Sequence, residues 1–116
     1  VYNQAGVLTL NNLHTIHPVD KIVKDKSKLK ALLCYLNSDI CRGLLKRTGR
    51  VYGGGLVKLE PREVENLPVI DLDKLSPEEI SVLEGLFDEL CVSARQNREY
   101  EISKKIHQFL EKIIKW

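Results

Sequence analysis

The run Leu29-Lys30-Ala31-Leu32-Leu33-Cys34-Tyr35-Leu36-Asn37-Ser38-Asp39-Ile40-Cys41-Arg42-Gly43-Leu44 organises the rest of the chain. Leu29, Leu32, Leu33, Leu36, Ile40 and Leu44 recur at the spacing that puts apolar side chains on one face of an α-helix, with Lys28, Lys30, Arg42 and Lys46 on the remaining faces. The pattern predicts one amphipathic helix of about 18 residues, starting at Asp25 or Ser27. Gly49 ends it, since glycine is favoured in the left-handed conformation just past a helix.

Upstream, Val7-Leu8-Thr9-Leu10 and Leu13-His14-Thr15-Ile16 flank Asn11-Asn12 and predict a hairpin or bulged strand pair closing at Pro18. Downstream, Arg50-Val51-Tyr52-Gly53-Gly54-Gly55-Leu56-Val57-Lys58-Leu59-Glu60-Pro61 sets two short strand-like pieces around three glycines. Consecutive glycines are costly in conformational entropy, which points to a need for backbone freedom or close approach. Leu67-Pro68-Val69-Ile70-Asp71-Leu72 is predicted to be extended, because a residue before proline is pushed out of helical geometry. Ser76-Pro77-Glu78-Glu79 is a capping box with proline at the first helical position. It opens a helix with Leu83, Leu86, Phe87, Leu90, Cys91 and Ala94 on one stripe; after Arg95-Gln96-Asn97-Arg98, a last helix carries Ile102, Ile106, Phe109, Leu110 and Ile113. The expected architecture is α+β: a small mixed or antiparallel sheet from segments 7–16, 51–59 and 67–72 packed on the amphipathic helix, followed by a C-terminal antiparallel helix pair. Residues 1–72 would form the core of one functional unit and 73–116 a helical pair for packing or subunit contact.

The 116 residues suit one domain or a large fragment of one, and 43% apolar with 29% charged residues excludes disorder for the bulk of the chain. Val1 stands where a natural chain has Met, in what reads as the middle of a strand, so a fragment of a longer protein is expected. No apolar run approaches the roughly 20 residues of a bilayer-spanning helix and no secretory signal is visible, so a cytoplasmic location and no membrane partner are expected. Cys34, Cys41 and Cys91 form no CxxC pair and are expected to be small, partly buried apolar residues.

Charge is divided along the chain. Lys21 to Lys58 carries ten Lys or Arg against Asp25 and Asp39, a net +8; Glu60 to Glu101 carries twelve carboxylates against four cations, a net −8. Such a split points to a polyanionic partner on the first half, or to solvated helix faces.

No metal site is expected, because His14 and His17 share neither a strand nor a helix face and no carboxylates join them. No catalytic residues are expected either. Cys34 and Cys41 lie seven apart on a core stripe without a paired base, and Gly53-Gly54-Gly55 leads into a strand-like run, not the helix start of a phosphate-binding loop. Nucleic-acid binding remains. Lys46, Arg47 and Arg50 flow into Tyr52 and the glycine run Gly53, Gly54 and Gly55, with Lys58 just beyond. Guanidinium and ammonium groups beside a loop without side chains suit phosphate contact, although the helix dipole also favours cations there. Asn37 and Ser38 have a structural reading as residues that bond their own backbone, and a functional one in which Asn37 reads bases.

Asn11-Asn12-Leu13, Tyr35-Leu36-Asn37-Ser38, the stretch from Arg50 to Pro61 and Leu67-Pro68-Val69, in that order, resemble the C-terminal target-recognition region of prokaryotic adenine-N6 DNA methyltransferases of restriction-modification systems. The resemblance covers residues 7 to 72. It implies binding of duplex DNA, with transfer of a methyl group from S-adenosylmethionine to an adenine amino group performed by a preceding catalytic domain of the same parent chain. The Asn-Pro-Pro-Tyr or Asn-Pro-Pro-Phe motif and the cofactor-binding glycine loop of that family have no counterpart here. This chain is therefore expected to bind no cofactor and to methylate nothing alone. The resemblance assigns DNA contact to Lys46, Arg47, Arg50, Tyr52, Gly53, Gly54, Gly55 and Lys58. The alternative is a specificity or assembly subunit of a multi-subunit restriction-modification enzyme, with self-association through the two C-terminal helices.

Overall fold

The computed structural model describes residues 18–48, 50–52, 56–58, 62 and 67–114. A short turn of helix, α1 (Asp20–Val23), leads into α2 (Lys26–Leu36). Asp25 starts α2, its carboxylate accepting from the backbone N–H of Ser27 at 3.1 Å and of Lys28 at 3.3 Å. That satisfies two of the donors every helix start leaves without an intrahelical partner.

The expected single helix through Leu44 is two helices. After α2 the chain turns at Asn37-Ser38 and resumes as α3 (Asp39–Thr48). The Ser38 hydroxyl donates to the Tyr35 carbonyl at 2.5 Å and accepts from the Cys41 N–H at 3.2 Å; the Asn37 side-chain amide donates to the Leu33 carbonyl at 2.8 Å. These residues offer the backbone an alternative to a continuing helical ladder, and here that alternative wins. Apolar periodicity alone did not reveal the break, because the stripe resumes almost in phase after it.

Two strands follow, β1 (Arg50–Tyr52) and β2 (Leu56–Lys58), paired antiparallel with Arg50 opposite Lys58, Val51 opposite Val57 and Tyr52 opposite Leu56. Residues 67–71 then run without regular structure into a 3-10 turn, Leu72–Lys74. The capping box is formed as expected. The Glu79 N–H donates to the Ser76 hydroxyl at 3.2 Å, the Ser76 N–H donates to the Glu79 carboxylate at 2.9 Å, and Pro77 is the first residue of α4 (Pro77–Arg95). A short link at Gln96–Arg98 leads to α5 (Glu99–Ile113).

The α+β architecture is therefore corrected. The core is helix on helix: α2 packs on α4, and α4 on α5, with α2 and α3 also touching α5. Among the described residues the strands pair only with each other, and 67–72 adds no strand. Pro68 lacks the N–H a ladder needs, and Leu67, Ile70 and Leu72 instead lay this segment on the helices as a strap. The expected strands at 7–16 lie outside the described residues.

Ala31, Leu33, Cys34 and Tyr35 of α2, Cys41 of α3, Leu72 of the strap, Ile80, Leu83 and Phe87 of α4, and Ile102, Ile106 and Leu110 of α5 are buried. Each fully buried Leu or Ile contributes roughly 1.5–3 kcal/mol. Side chains before and after residue 72 share this core. Cys34 and Cys41 are inside, as expected; Cys91, toward the end of α4, is exposed. Among the described residues no helix is long and apolar enough to cross a membrane.

Candidate nucleic-acid interface

The cations of the first half divide into two groups. Lys21 reaches Asp73 at 2.5 Å, Lys28 reaches the same carboxylate at 3.4 Å, and Lys30 reaches Asp88 at 2.9 Å. The hydrogen bonds from Lys21 and Lys28 hold the Asp73 carboxyl below its ordinary range, and those to Asp73 and Asp88 raise Lys21 and Lys30 above theirs. The basic and acidic halves of the sequence thus neutralise each other in part across the fold. Arg42 pairs within its own helix with Asp39, at 3.6 Å.

Lys46 and Arg47 belong to the second group. Both are exposed in the last turn of α3, and no carboxylate among the described residues pairs with either. Two residues past α3 the chain enters β1, and the strand register sets Arg50 opposite Lys58. Four of the predicted contact residues, Lys46, Arg47, Arg50 and Lys58, therefore fall at the end of α3 and on the hairpin that follows it. Tyr52 closes the β1 side opposite Leu56. Gly53, Gly54 and Gly55 lie outside the described residues.

In the Tyr-Leu-Asn-Ser run Asn37 and Ser38 both bond nearby backbone. Asn37 is half-buried with its amide on Leu33, and Ser38 is fully buried between Tyr35 and Cys41. The structural reading of both residues holds. Missed from the sequence was the partner of Tyr35: its hydroxyl donates to the Pro68 carbonyl at 2.6 Å across 33 residues. The two short motifs Tyr35-Leu36-Asn37-Ser38 and Leu67-Pro68-Val69 thus meet in space. Burial, with a smaller effect of Cys41, raises the Tyr35 phenol above its ordinary range, so it remains a donor. The only sequence hint was a polar tip on an otherwise apolar helix face.

Buried thiols are poor nucleophiles, and burial pushes the Cys34 thiol up to about 12 and raises that of Cys41. No group of three or more metal-ligating side chains occurs among the described residues. The cleft between the start of α2 and the start of α4, about 440 Å³, is edged by Asp25, Ser27, Lys28, Asp73 and Glu84 and has no aromatic face for an adenine ring.

The fold is thus a helical platform that carries a basic helix end and a short hairpin. Residues 1–110 match the model of the C-terminal domain of the Type II methyltransferase M.Eco57I, and the chain belongs to that family. It is 26% identical to the Type II methyltransferase M.AccI of Acinetobacter calcoaceticus over 111 residues, 95% of this chain and 20% of that protein. It is 32% identical to the Type II methyltransferase M.XamI of Xanthomonas campestris pv. amaranthicola over 73 residues, 63% of this chain and 13% of that protein. The chain thus spans a fifth or less of the length of these relatives. No solved structure matches it. The C-terminal region of a restriction-modification methyltransferase, expected from the motifs, is what these comparisons support.

Proposed function

We propose that this chain is the DNA target-recognition part of an S-adenosylmethionine-dependent adenine-N6 methyltransferase, acting in the cytoplasm and joined to a catalytic domain that it does not itself contain. The observation that carries the reading is the basic end of α3, which no carboxylate among the described residues neutralises. Lys21, Lys28 and Lys30 are taken up by Asp73 and Asp88, while Lys46 and Arg47 are exposed and lead directly to the Arg50–Lys58 register pair. Phosphate oxygens would supply the counter-charge, as they do for most protein–DNA hydrogen bonds. An adenine amino group is reached only when the base leaves the stack, so the recognition part must hold the duplex while another part accepts the flipped base. Lys46, Arg47, Arg50 and Lys58 are assigned to that grip.

Duplex-DNA binding by the full chain across a salt series, beside a Lys46→Ala, Arg47→Ala, Arg50→Ala triple variant, tests the assignment. The expected result is a linear fall of log affinity with log salt, and a slope shallower in the variant by about 0.9 for each phosphate that is no longer neutralised. Equal slopes would overturn it. A dimer that leaves DNA unbound at low salt would overturn it too, in favour of an assembly role for the C-terminal helices.

A further inference from the structure

The chain leaves the helical core at Thr48, forms the hairpin, and returns along the strap at Leu67. Both ends of this excursion are fastened to one residue. The Tyr35 carbonyl accepts from the Ser38 N–H at 2.9 Å and from the Ser38 hydroxyl at 2.5 Å, and Ser38 in turn accepts from the Cys41 N–H, which starts α3 and fixes its direction. The Tyr35 hydroxyl donates to the Pro68 carbonyl at 2.6 Å, which fixes where the strap rejoins the core. Tyr35 itself is 2% exposed and sits among the buried residues of α2, so packing holds the ring that carries the hydroxyl. A phenylalanine would fill the same space; the hydroxyl is needed only for the strap.

We propose that Tyr35 is a positioning residue for DNA binding: its carbonyl and its hydroxyl together set the two ends between which the basic hairpin is carried. This rests on the proposed function for what the hairpin touches, but not for the fastening itself. The strap is also held by Leu67 and Ile70, packed against the core, by the buried Leu72 and by the carboxylate of Asp73, which Lys21 and Lys28 hold; among the described residues Pro68 is its hydrogen-bonded tie nearest the hairpin.

The test is Tyr35→Phe in the full chain, read by hydrogen exchange and by binding to a short duplex of mixed sequence. Pro68 is exposed, so water can replace the phenol at its carbonyl and the helices are expected to stay folded. The expected result is a loss of about fivefold to tenfold in amide protection across Arg50–Tyr52 and Leu56–Lys58, the worth of one net hydrogen bond, with α4 unchanged. DNA affinity should fall several-fold at an unchanged salt slope, because every cation that meets phosphate is still present. Hairpin protection equal to that of the unaltered chain would overturn the proposal. So would an equal loss of protection in α4, which would make Tyr35 a packing residue. If the unaltered chain binds no DNA, the functional reading fails while the exchange measurement still decides whether Tyr35 fastens the hairpin.

Discussion

At the joint between α2 and α3 the chain turns on Asn37 and Ser38, with Ser38 fully buried; at the joint between α4 and α5 it turns on Gln96, Asn97 and Arg98, all exposed. Three side-chain hydrogen bonds hold the first turn. Backbone geometry holds the second: the Arg98 N–H donates to the Ser93 carbonyl at 2.8 Å, the Asn97 N–H donates to the Ala94 carbonyl at 3.3 Å, and Asn97 has φ 55°. This is a Schellman ending in which asparagine takes the left-handed position usually given to glycine. No side-chain hydrogen bond caps the start of α5 at Arg98. The difference teaches that a helix can be broken by chemistry, which is specific to its residues, or by conformation, which accepts any residue that tolerates a positive φ. The joint that leads to the hairpin is the chemical one.

The largest expected effect separates the joints by pH. Cys34, buried in α2 three residues before the first joint, has its thiol raised from the ordinary 9.0 to about 12, because folding removes the thiolate from water. A raised folded-state value means that the stability it reflects is fully present below about pH 9 and is lost as pH rises toward 12. At 1.36 kcal/mol per unit the loss approaches about 4 kcal/mol. Urea unfolding of the unaltered chain and of Cys34→Ala between pH 8 and 12 should give a shallower decline in the variant, and parallel curves would refute the assignment.

Next in size is Ser38→Ala. It removes the acceptor of the buried Cys41 N–H and the cap of α3, and should cost about 2–3 kcal/mol in equilibrium unfolding. A cost within a few tenths of zero would make the first joint as replaceable as the second. The smallest effect belongs to Asn97. Asn97→Ala places a methyl-bearing residue at a positive φ and should cost about 1 kcal/mol, whereas Asn97→Gly should leave stability equal or slightly higher. Thermal melts of the pair decide it, and a loss with glycine would show that the asparagine side chain contributes more than its conformation.

The same contrast explains what the sequence disclosed. The second joint was legible because Arg95-Gln96-Asn97-Arg98 interrupts the apolar pattern, and the capping box at Ser76 was legible because both partners lie within three residues. The stripes of α4 and α5 were read correctly at Leu83, Phe87, Ile102, Ile106 and Leu110, and misread at Cys91 and Ala94, which are exposed. The first joint was hidden, since Leu36, Ile40 and Leu44 keep helical spacing through a real break. Two short strand-like pieces around the glycines were legible from local pattern, but the sheet expected from them required partners that pattern cannot specify. Segment 67–72, expected to be extended, runs without regular structure through 71 and turns at Leu72, lying against Tyr35 and the helices. Of the interface, the cations at the end of α3 were visible as a cluster. Which other lysines are neutralised depends on pairs 45 to 58 residues apart, for which spacing carries no information.

Those distant pairs also bear on the chain before it folds. A block of net +8 followed by one of net −8 makes the unfolded molecule a segregated polyampholyte, whose ends of opposite sign attract over roughly a Debye length, about 10 Å at 0.1 M salt. That attraction draws the future α2 toward the future α4 and leaves the denatured ensemble more compact than a neutral chain. Added salt weakens Lys21–Asp73, Lys28–Asp73 and Lys30–Asp88 in the folded state and loosens the unfolded state as well. The two changes act on the folding equilibrium with opposite sign.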